Sequence, residues 1–404
     1  MFHPTSQLLC IVLLLFTLTF WGAWPSIRIL CKSDAPVFAI LYISGQLLAI
    51  VTLCLTLGLI QADNAYFDNQ TVFGGFTDIG RLYRIVFLVF GGFCLANADF
   101  LCACACTRLP FSVAYPLFAG WALIQATILN FLLEGGGAFN VGVLFGGIVL
   151  ALGAISCMAL SDYCAAPKTV PPADDIDESV YIPLEGGIGG LSRSASADTL
   201  LNYSTNTSTS DSSLTQTSLF KHSETLAPTT KKLNPWIYAC VLAGVLGGAW
   251  SPLSSFARTG TGSIKNPYTS VLLYVCGELL ALPVMLTYYA KYIVPLEMGG
   301  AQHAQRIRDY FSAVVALPGS SKIYGLLAGA IVGAGYTFFF IASEVVPGTI
   351  AFAIANCAPM VAIIIGITIF RQLEYATYFE GVFIILALFL FIGAVSLLVL
   401  ANSI

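Results

Sequence analysis

The chain alternates between long apolar runs and short polar breaks. Ten runs of about 18 to 25 residues stand at about 7–29, 37–60, 84–106, 112–133, 139–161, 236–257, 268–290, 323–343, 348–370 and 379–401. A helix rises about 1.5 Å per residue, so each run is long enough to cross a hydrocarbon layer about 30 Å thick. With no water there to satisfy the backbone, segments this long and this apolar satisfy it internally, as helices. The pattern predicts an all-α polytopic membrane protein with ten transmembrane helices.

A segment of another kind separates the fifth run from the sixth. Residues 162–235 contain "STNTSTSDSSLTQTS" and "DDIDES" and few large apolar residues, the composition of a disordered linker. It divides the chain into residues 1–161 and residues 236–404, each with five spans. Two related blocks with an odd number of spans sit in opposite orientations. Three matches in order relate them. Gly22-Ala23-Trp24 pairs with Gly248-Ala249-Trp250 at an offset of 226 residues. Tyr42, Gly45, Gln46 and Ala49 pair with Tyr274, Gly277, Glu278 and Ala281 at an offset of 232. Pro110 with Val113-Ala114 pairs with Pro347 and Ile350-Ala351 at an offset of 237. Collinear matches with so little drift predict two inverted five-helix repeats. The first run has the look of a cleavable signal peptide, but it lacks a basic leading region and is the repeat partner of an internal span, so it is expected to stay as the first helix.

Loop charges set the expected orientation. With ten spans the termini share a side with Arg81, Arg84, Arg258 and Lys265, and the other 13 of the 17 basic residues, Arg28, Lys32, Lys291, Arg308 and Arg371 among them, lie opposite. That excess marks the opposite side and the linker as cytosolic and both termini as non-cytosolic, with the plasma membrane as the expected location. The sequon at Asn69 falls on the outer or lumenal face, where glycosylation is expected; those at Asn202 and Asn206 fall in the cytosolic linker and are expected to stay bare.

Composition then narrows the class. Hydrophobic residues make up 57% of the chain and charged residues 9%, with a mean hydropathy of +0.85, far from the roughly 25% charged residues of a soluble domain. A net charge of −4 argues against nucleic acid as a partner. Nearly all of the 12 cysteines fall inside the apolar runs, where they read as packing residues. Cys102, Cys104 and Cys106 are spaced so that the middle one points away from the others on a helix, which argues against a metal site. The three histidines lie outside the spans, and no metalloprotease, hydrolase or phosphate-loop pattern occurs, so neither an enzyme nor a cofactor is expected.

Strongly polar side chains at mid-span cost a few kcal/mol unless they face a cavity or a partner, so they are the best pointers to function. Glu278 lies near the middle of the seventh run, and its repeat mate is the neutral Gln46. A carboxylate in a low-dielectric interior holds its proton more tightly, which suits a proton carrier; a fixed interhelical hydrogen bond is the alternative role. Asn97 and Asp99 in the third run are two apart, so at most one lines a central cavity comfortably, and Asp99 is the second proton-coupling candidate. Tyr115, Gln125 and Asn130 in the fourth run, and Asn356 beside the helix-bending Pro359 in the ninth, are candidate solute contacts or interhelical bonds. Trp24 and Trp250, with Trp21 and Trp121, are candidate stacking surfaces or interfacial anchors. Small residues in "FGGFCLANA", "VLAGVLGGAW" and "GLLAGAIVGAG" admit close helix packing.

Ten spans arranged as five plus five inverted resemble the drug/metabolite transporter superfamily. "LTFWGAWPSI", "GGFCLANADFL" leading into "LPFSVAYPLFAG" and "TILNFLLE", "GLLAGAIVGAGYTFFF", and the extended "QRIRDYFSAVV" before the eighth span resemble the ureide permease family. The resemblance implies a secondary transporter that moves ureides such as allantoin, or nucleobases such as uracil, in symport with protons. It does not extend to the nucleotide-binding-like motif of the plant members' linker. Glucose and rhamnose permeases of the same superfamily share much of this pattern and stand as the rival substrate class. A receptor or scaffold with a phosphorylatable linker is the reading from another class. The expected partners are a small solute, protons and lipid, and a homodimer is left open.

Overall fold

The computed structural model describes residues 2, 4–58, 82–105, 111–134, 140–163, 235–260, 263–293, 307–369 and 376–403. Among these the chain is helical and holds no strand. The helices are α1 (Gln7–Cys31), α2 (Ala35–Thr56), α3 (Leu82–Ala105), α4 (Phe111–Leu133), α5 (Val141–Tyr163), α6 (Pro235–Arg258), α7 (Pro267–Tyr288), α8 (Ile307–Ala316), α9 (Gly319–Ala342), α10 (Gly348–Ala355), α11 (Pro359–Thr368) and α12 (Tyr378–Ser403). Among the described residues nine segments are long and apolar enough to cross a membrane, the α10–α11 pair counting as one, and α4 is a further apolar helix of 23 residues. The protein is thus an integral, multi-pass helical membrane protein. Asn69, Asn202, Asn206, the three histidines and nearly all of the 162–235 linker lie outside the described residues.

Local chemistry places the helix ends. Asn266 caps α7, its side-chain oxygen accepting from the amides of Tyr268 and Thr269, and Pro267 fills the first turn, where no amide partner is needed. Lys32 ends α1 in the left-handed conformation, with φ of 46°. The ninth run breaks at mid-length: Pro359 carries no N–H to continue the ladder, so α10 stops at Ala355 and α11 starts anew. Asn356 covers the break with its own side chain, donating through Nδ2 to the Phe352 carbonyl at 2.9 Å. The π-helical turn Tyr289–Ile293 extends α7, and α8 lays Tyr310 against Leu286 and Tyr289.

Packing pairs α1 with α9 and α11, α6 with α3 and α4, α2 with α9 and α7, α7 with α3, and α5 with α12. Two of these crossings bring backbone onto backbone. A Cβ at Gly45 would lie 2.1 Å from the Leu326 carbonyl oxygen, and one at Gly329 would lie 1.9 Å from that of Tyr42. A Cβ at Gly277 would lie 1.8 Å from the Val89 oxygen, and one at Gly92 would lie 1.9 Å from that of Tyr274. Only glycine permits this approach, which carries α2 and α7 into the centre of the bundle.

Candidate functional site

The centre of the bundle is reached from one end, here the near end, where α1, α3 and α7 finish and α2 and α9 begin. A cavity opens there between α1, α2, α3 and α7. Its walls are aromatic (Trp24, Phe38 and Phe100), and its polar groups are Tyr42, Gln46, Asp99 and Glu278. It offers about 30 Å³ to the centre of a water molecule. A single water needs about 10–15 Å³ by that measure, so the cavity has room for roughly two and must widen to admit a larger solute.

Helical periodicity assembles the polar groups. Tyr42 and Gln46 lie one turn apart on α2, as do Tyr274 and Glu278 on α7, so each pair shares a face. The Tyr42 hydroxyl faces Asp99 and Gln46, and Glu278 stands within electrostatic reach of Asp99. Gln46 is fully buried and Glu278 is 1% exposed. Both amide atoms of Gln46, Oε2 of Glu278, the hydroxyls of Tyr42 and Tyr274, and Nε1 of Trp21 make no hydrogen bond of ordinary geometry within the protein, although the Tyr42 hydroxyl lies near Gln46 and Asp99 and the Tyr274 hydroxyl near Glu278 and Tyr336. Leaving such a group unpaired costs about 1–3 kcal/mol. Five of these atoms, on Tyr42 and Gln46 of α2 and Tyr274 and Glu278 of α7, are a large cost in a fold where buried polar groups are normally paired.

On the side of these groups toward the other, far end there is close packing. The Trp250 ring lies 5.5 Å from Tyr274, 5.2 Å from Phe339 and 5.7 Å from Phe352, and the Tyr336 ring lies 5.0 Å from Tyr274 and 5.1 Å from Trp21. Beyond this plug the helix ends are tied together. Arg258 at the end of α6 donates to the Phe340 carbonyl at 2.9 Å, lies over the Phe340 ring and pairs with Glu344. Arg84 at the start of α3 donates to the carbonyls of Phe256, Ala257 and Thr259, covering the end of α6. Glu134, just past α4, accepts from the Thr349 hydroxyl at 2.6 Å and its amide at 3.2 Å, at the start of α10. Burial pushes the Glu134 carboxyl up, and the Thr349 hydroxyl with the amides of Thr349 and Gly348 pulls it back. Phe2 bridges the outer ends of α2 and α7, its amide donating to the Leu57 carbonyl and its carbonyl accepting from the Tyr268 hydroxyl, both at 2.9 Å.

The Arg258–Glu344 pair is mostly shielded, with the two side chains 9% and 16% exposed. Removing one partner of a buried pair strands the other and costs roughly 3–5 kcal/mol. Glu344→Ala is therefore expected to lower the thermal midpoint of the purified protein by several degrees. Glu344→Gln, which keeps an acceptor, is expected to lower it less. Equal midpoints for Glu344→Ala and the unsubstituted chain would mean the pair holds nothing closed.

Of the residues singled out in the sequence, the structure brings Trp24, Gln46, Asp99 and Glu278 together on the cavity, with Trp250 behind them in the far-end plug. Asn97 does not join them: its Nδ2 donates to the Phe93 carbonyl at 2.7 Å. Gln125 is held by the Val245 carbonyl at 3.1 Å and by Trp121, Asn130 donates to Ser251 at 2.8 Å, and Asn356 covers the α10–α11 break. Tyr115 falls in α4, but its side chain lies outside the described residues. Sequence reasoning missed Tyr42, Tyr274 and Tyr336 as polar groups of the site, and the far-end Arg84, Arg258, Glu134 and Glu344. Tyr42 and Tyr274 could have been found, since both open the matched segments on α2 and α7.

No family model and no curated protein matches the sequence. Among solved structures, one described only as the crystal structure of a protein superposes with a TM-score of 0.53 over 98% of this chain and 99% of its own, at 11% identity. Likeness at that identity concerns the fold alone.

Proposed function

We propose that the chain is a secondary transporter that carries a small polar solute by alternating access, binding it between two inverted five-helix repeats. The observation that carries this reading is the cluster of unpartnered polar atoms on Tyr42, Gln46, Tyr274 and Glu278, met by a cavity from the near end and sealed by packing from the far end. A permanently closed protein has no use for such a cluster. A carrier does, because its solute supplies the missing hydrogen bonds at the midplane and must be reached from each side in turn.

Support for the repeat comes from the way contacts recur. Pairing of α1 with α9, α2 with α9 and α1 with α11 has its counterpart in α6 with α3, α7 with α3 and α6 with α4. The Gly45–Gly329 crossing has its counterpart in Gly277–Gly92. The Trp24 ring lies tilted 5.3 Å from Tyr42, as the Trp250 ring lies tilted 5.5 Å from Tyr274. Trp24 and Tyr42 border the cavity, whereas their counterparts Trp250 and Tyr274 are packed in the far-end plug. Exchange of those two arrangements would close the near end and open the far one.

Ten spans, with the near end cytosolic, both termini outside the cytosol and residence in the plasma membrane, complete the proposal on the strength of the loop charges. The resemblance to ureide permeases makes allantoin or uracil the proposed solute. Protons are the proposed coupling ion, with Glu278 and Asp99 as carriers. The groups facing them are Tyr42 and Gln46 on α2, Tyr274 on α7 and Tyr336 on α9, while Arg28 on α1 lies over Phe38 at the mouth. Uptake of labelled allantoin, uracil and glucose into cells expressing the protein tests this reading. Saturable uptake of allantoin or uracil that grows as the outside is acidified is the expected result. Glucose uptake alone would move the substrate to the sugar class, and no uptake of any solute by correctly placed protein would overturn transport.

A further inference from the structure

We propose that the cavity takes a planar guanidinium-bearing solute, because two carboxylates, an unpaired carboxamide and a phenol hydroxyl meet there beside aromatic side chains, with no basic side chain among the described lining residues. The proposal deepens the transport reading of this site, but binding itself requires only the site. The hydrogen-bonding inventory is lopsided. Asp99 and Glu278 only accept when ionised, and with one of them holding the coupling proton the other still only accepts; Gln46 brings one acceptor oxygen, and Tyr42 can turn its hydroxyl either way. The donors are few: the Gln46 amide and the Tyr42 hydroxyl. A complementary solute is rich in donors and poor in acceptors.

Planarity and charge point the same way. Trp24, Phe38, Tyr42 and Phe100 line the cavity, and aromatic rings attract a delocalised cation more than a neutral ring. The Arg28 guanidinium already lies over the Phe38 ring, 5.2 Å from its centroid and outside the lining. Guanidinium forks match carboxylates in a bidentate geometry, and charge assistance strengthens each bond. A ureide presents a similar planar N–H edge without the charge, so a guanidinium would compete for the same contacts.

The experiment uses the purified full chain in lipid nanodiscs and three probes: methylguanidinium, its neutral isostere urea, and tetramethylammonium, a cation without N–H donors. The readouts are the thermal midpoint and the tryptophan fluorescence. Methylguanidinium is expected to shift both saturably at concentrations at least ~10-fold below urea, since charge-assisted bonds are about twice as strong as neutral ones. Tetramethylammonium is expected to do little. Asp99→Asn with Glu278→Gln should abolish the methylguanidinium response. Should that double variant not fold, Tyr42→Phe removes only a hydroxyl and should weaken binding by about 3- to 10-fold, one hydrogen bond's worth. Equal responses to urea and methylguanidinium would overturn the guanidinium assignment while leaving transport standing. Equal responses to tetramethylammonium, or a response unchanged by every one of these substitutions, would overturn it as well.

Discussion

An alanine at Gly277 is expected to leave little correctly folded protein in the membrane. Its Cβ would lie 1.8 Å from the Val89 oxygen and 2.8 Å from the Phe93 nitrogen, both backbone atoms of α3. A flexible side chain could swing aside, but a helix backbone can yield only by moving the whole helix. Added volume in a tight core costs about 1–3 kcal/mol even where side chains can adjust, and the cost here must exceed that range. The reciprocal Gly92→Ala, whose Cβ would meet the Tyr274 oxygen at 1.9 Å, should behave alike. Gly319→Ala is the control, since nothing lies within 4 Å of its added carbon. Fluorescence-detected size exclusion should show the monodisperse peak largely lost for the first two, as expected when the cost approaches the roughly 5–15 kcal/mol that holds a fold together, and persist for the third. A normal peak for Gly277→Ala would refute the close crossing of α3 and α7.

The second large effect belongs to the carboxylates. Glu278 is buried with one oxygen unpartnered, and Asp99 borders the same cavity. If they carry the coupling proton, Glu278→Gln keeps the shape and removes the titration. Uptake by the unsubstituted chain should then rise as the outside is acidified, whereas uptake by Glu278→Gln should be flat across the same range and clearly lower at acidic pH, because the group that would carry the proton can no longer titrate. Asp99→Asn should reduce the slope and leave part of it. Retention of the full acid stimulation in both variants would leave the carboxylates a binding role only.

How much of this was legible in the residues depends on the kind of signal. Span positions were, because runs such as 7–29 and 84–106 are set by hydropathy alone, and the helices Gln7–Cys31 and Leu82–Ala105 fall within two residues of them. Pro359 announced the break in the ninth run, since a missing N–H is a property of one residue. Glu278, Gln46, Asp99 and Trp24 were legible because a polar or bulky group at mid-span is costly wherever it points. Whether Asn97, Gln125 or Asn356 faces a cavity or a backbone carbonyl of its own or a neighbouring helix was not legible. Each satisfies itself on a carbonyl whose position depends on rotamer and neighbour. The far-end ties were hidden for another reason: Arg84, Arg258 and Glu344 sit at span ends, where charge is ordinary, and only the meeting of α3, α6 and α9 gives them partners.

Alternating access is tested most directly by holding the far end shut. Of the cysteines described, Cys276 alone is exposed, so a background with Cys276→Ser, and with Cys106→Ser and Cys164→Ser for the two cysteines outside the described residues, is used for placing a cysteine pair at Arg258 and Glu344. A cleavable bifunctional thiol reagent would then join α6 to the end of α9 in protein reconstituted into liposomes. Alternating access predicts that uptake of the labelled solute stops on cross-linking and returns on reduction. Full uptake by the cross-linked protein would contradict it, because the solute would then be crossing without the far end ever opening.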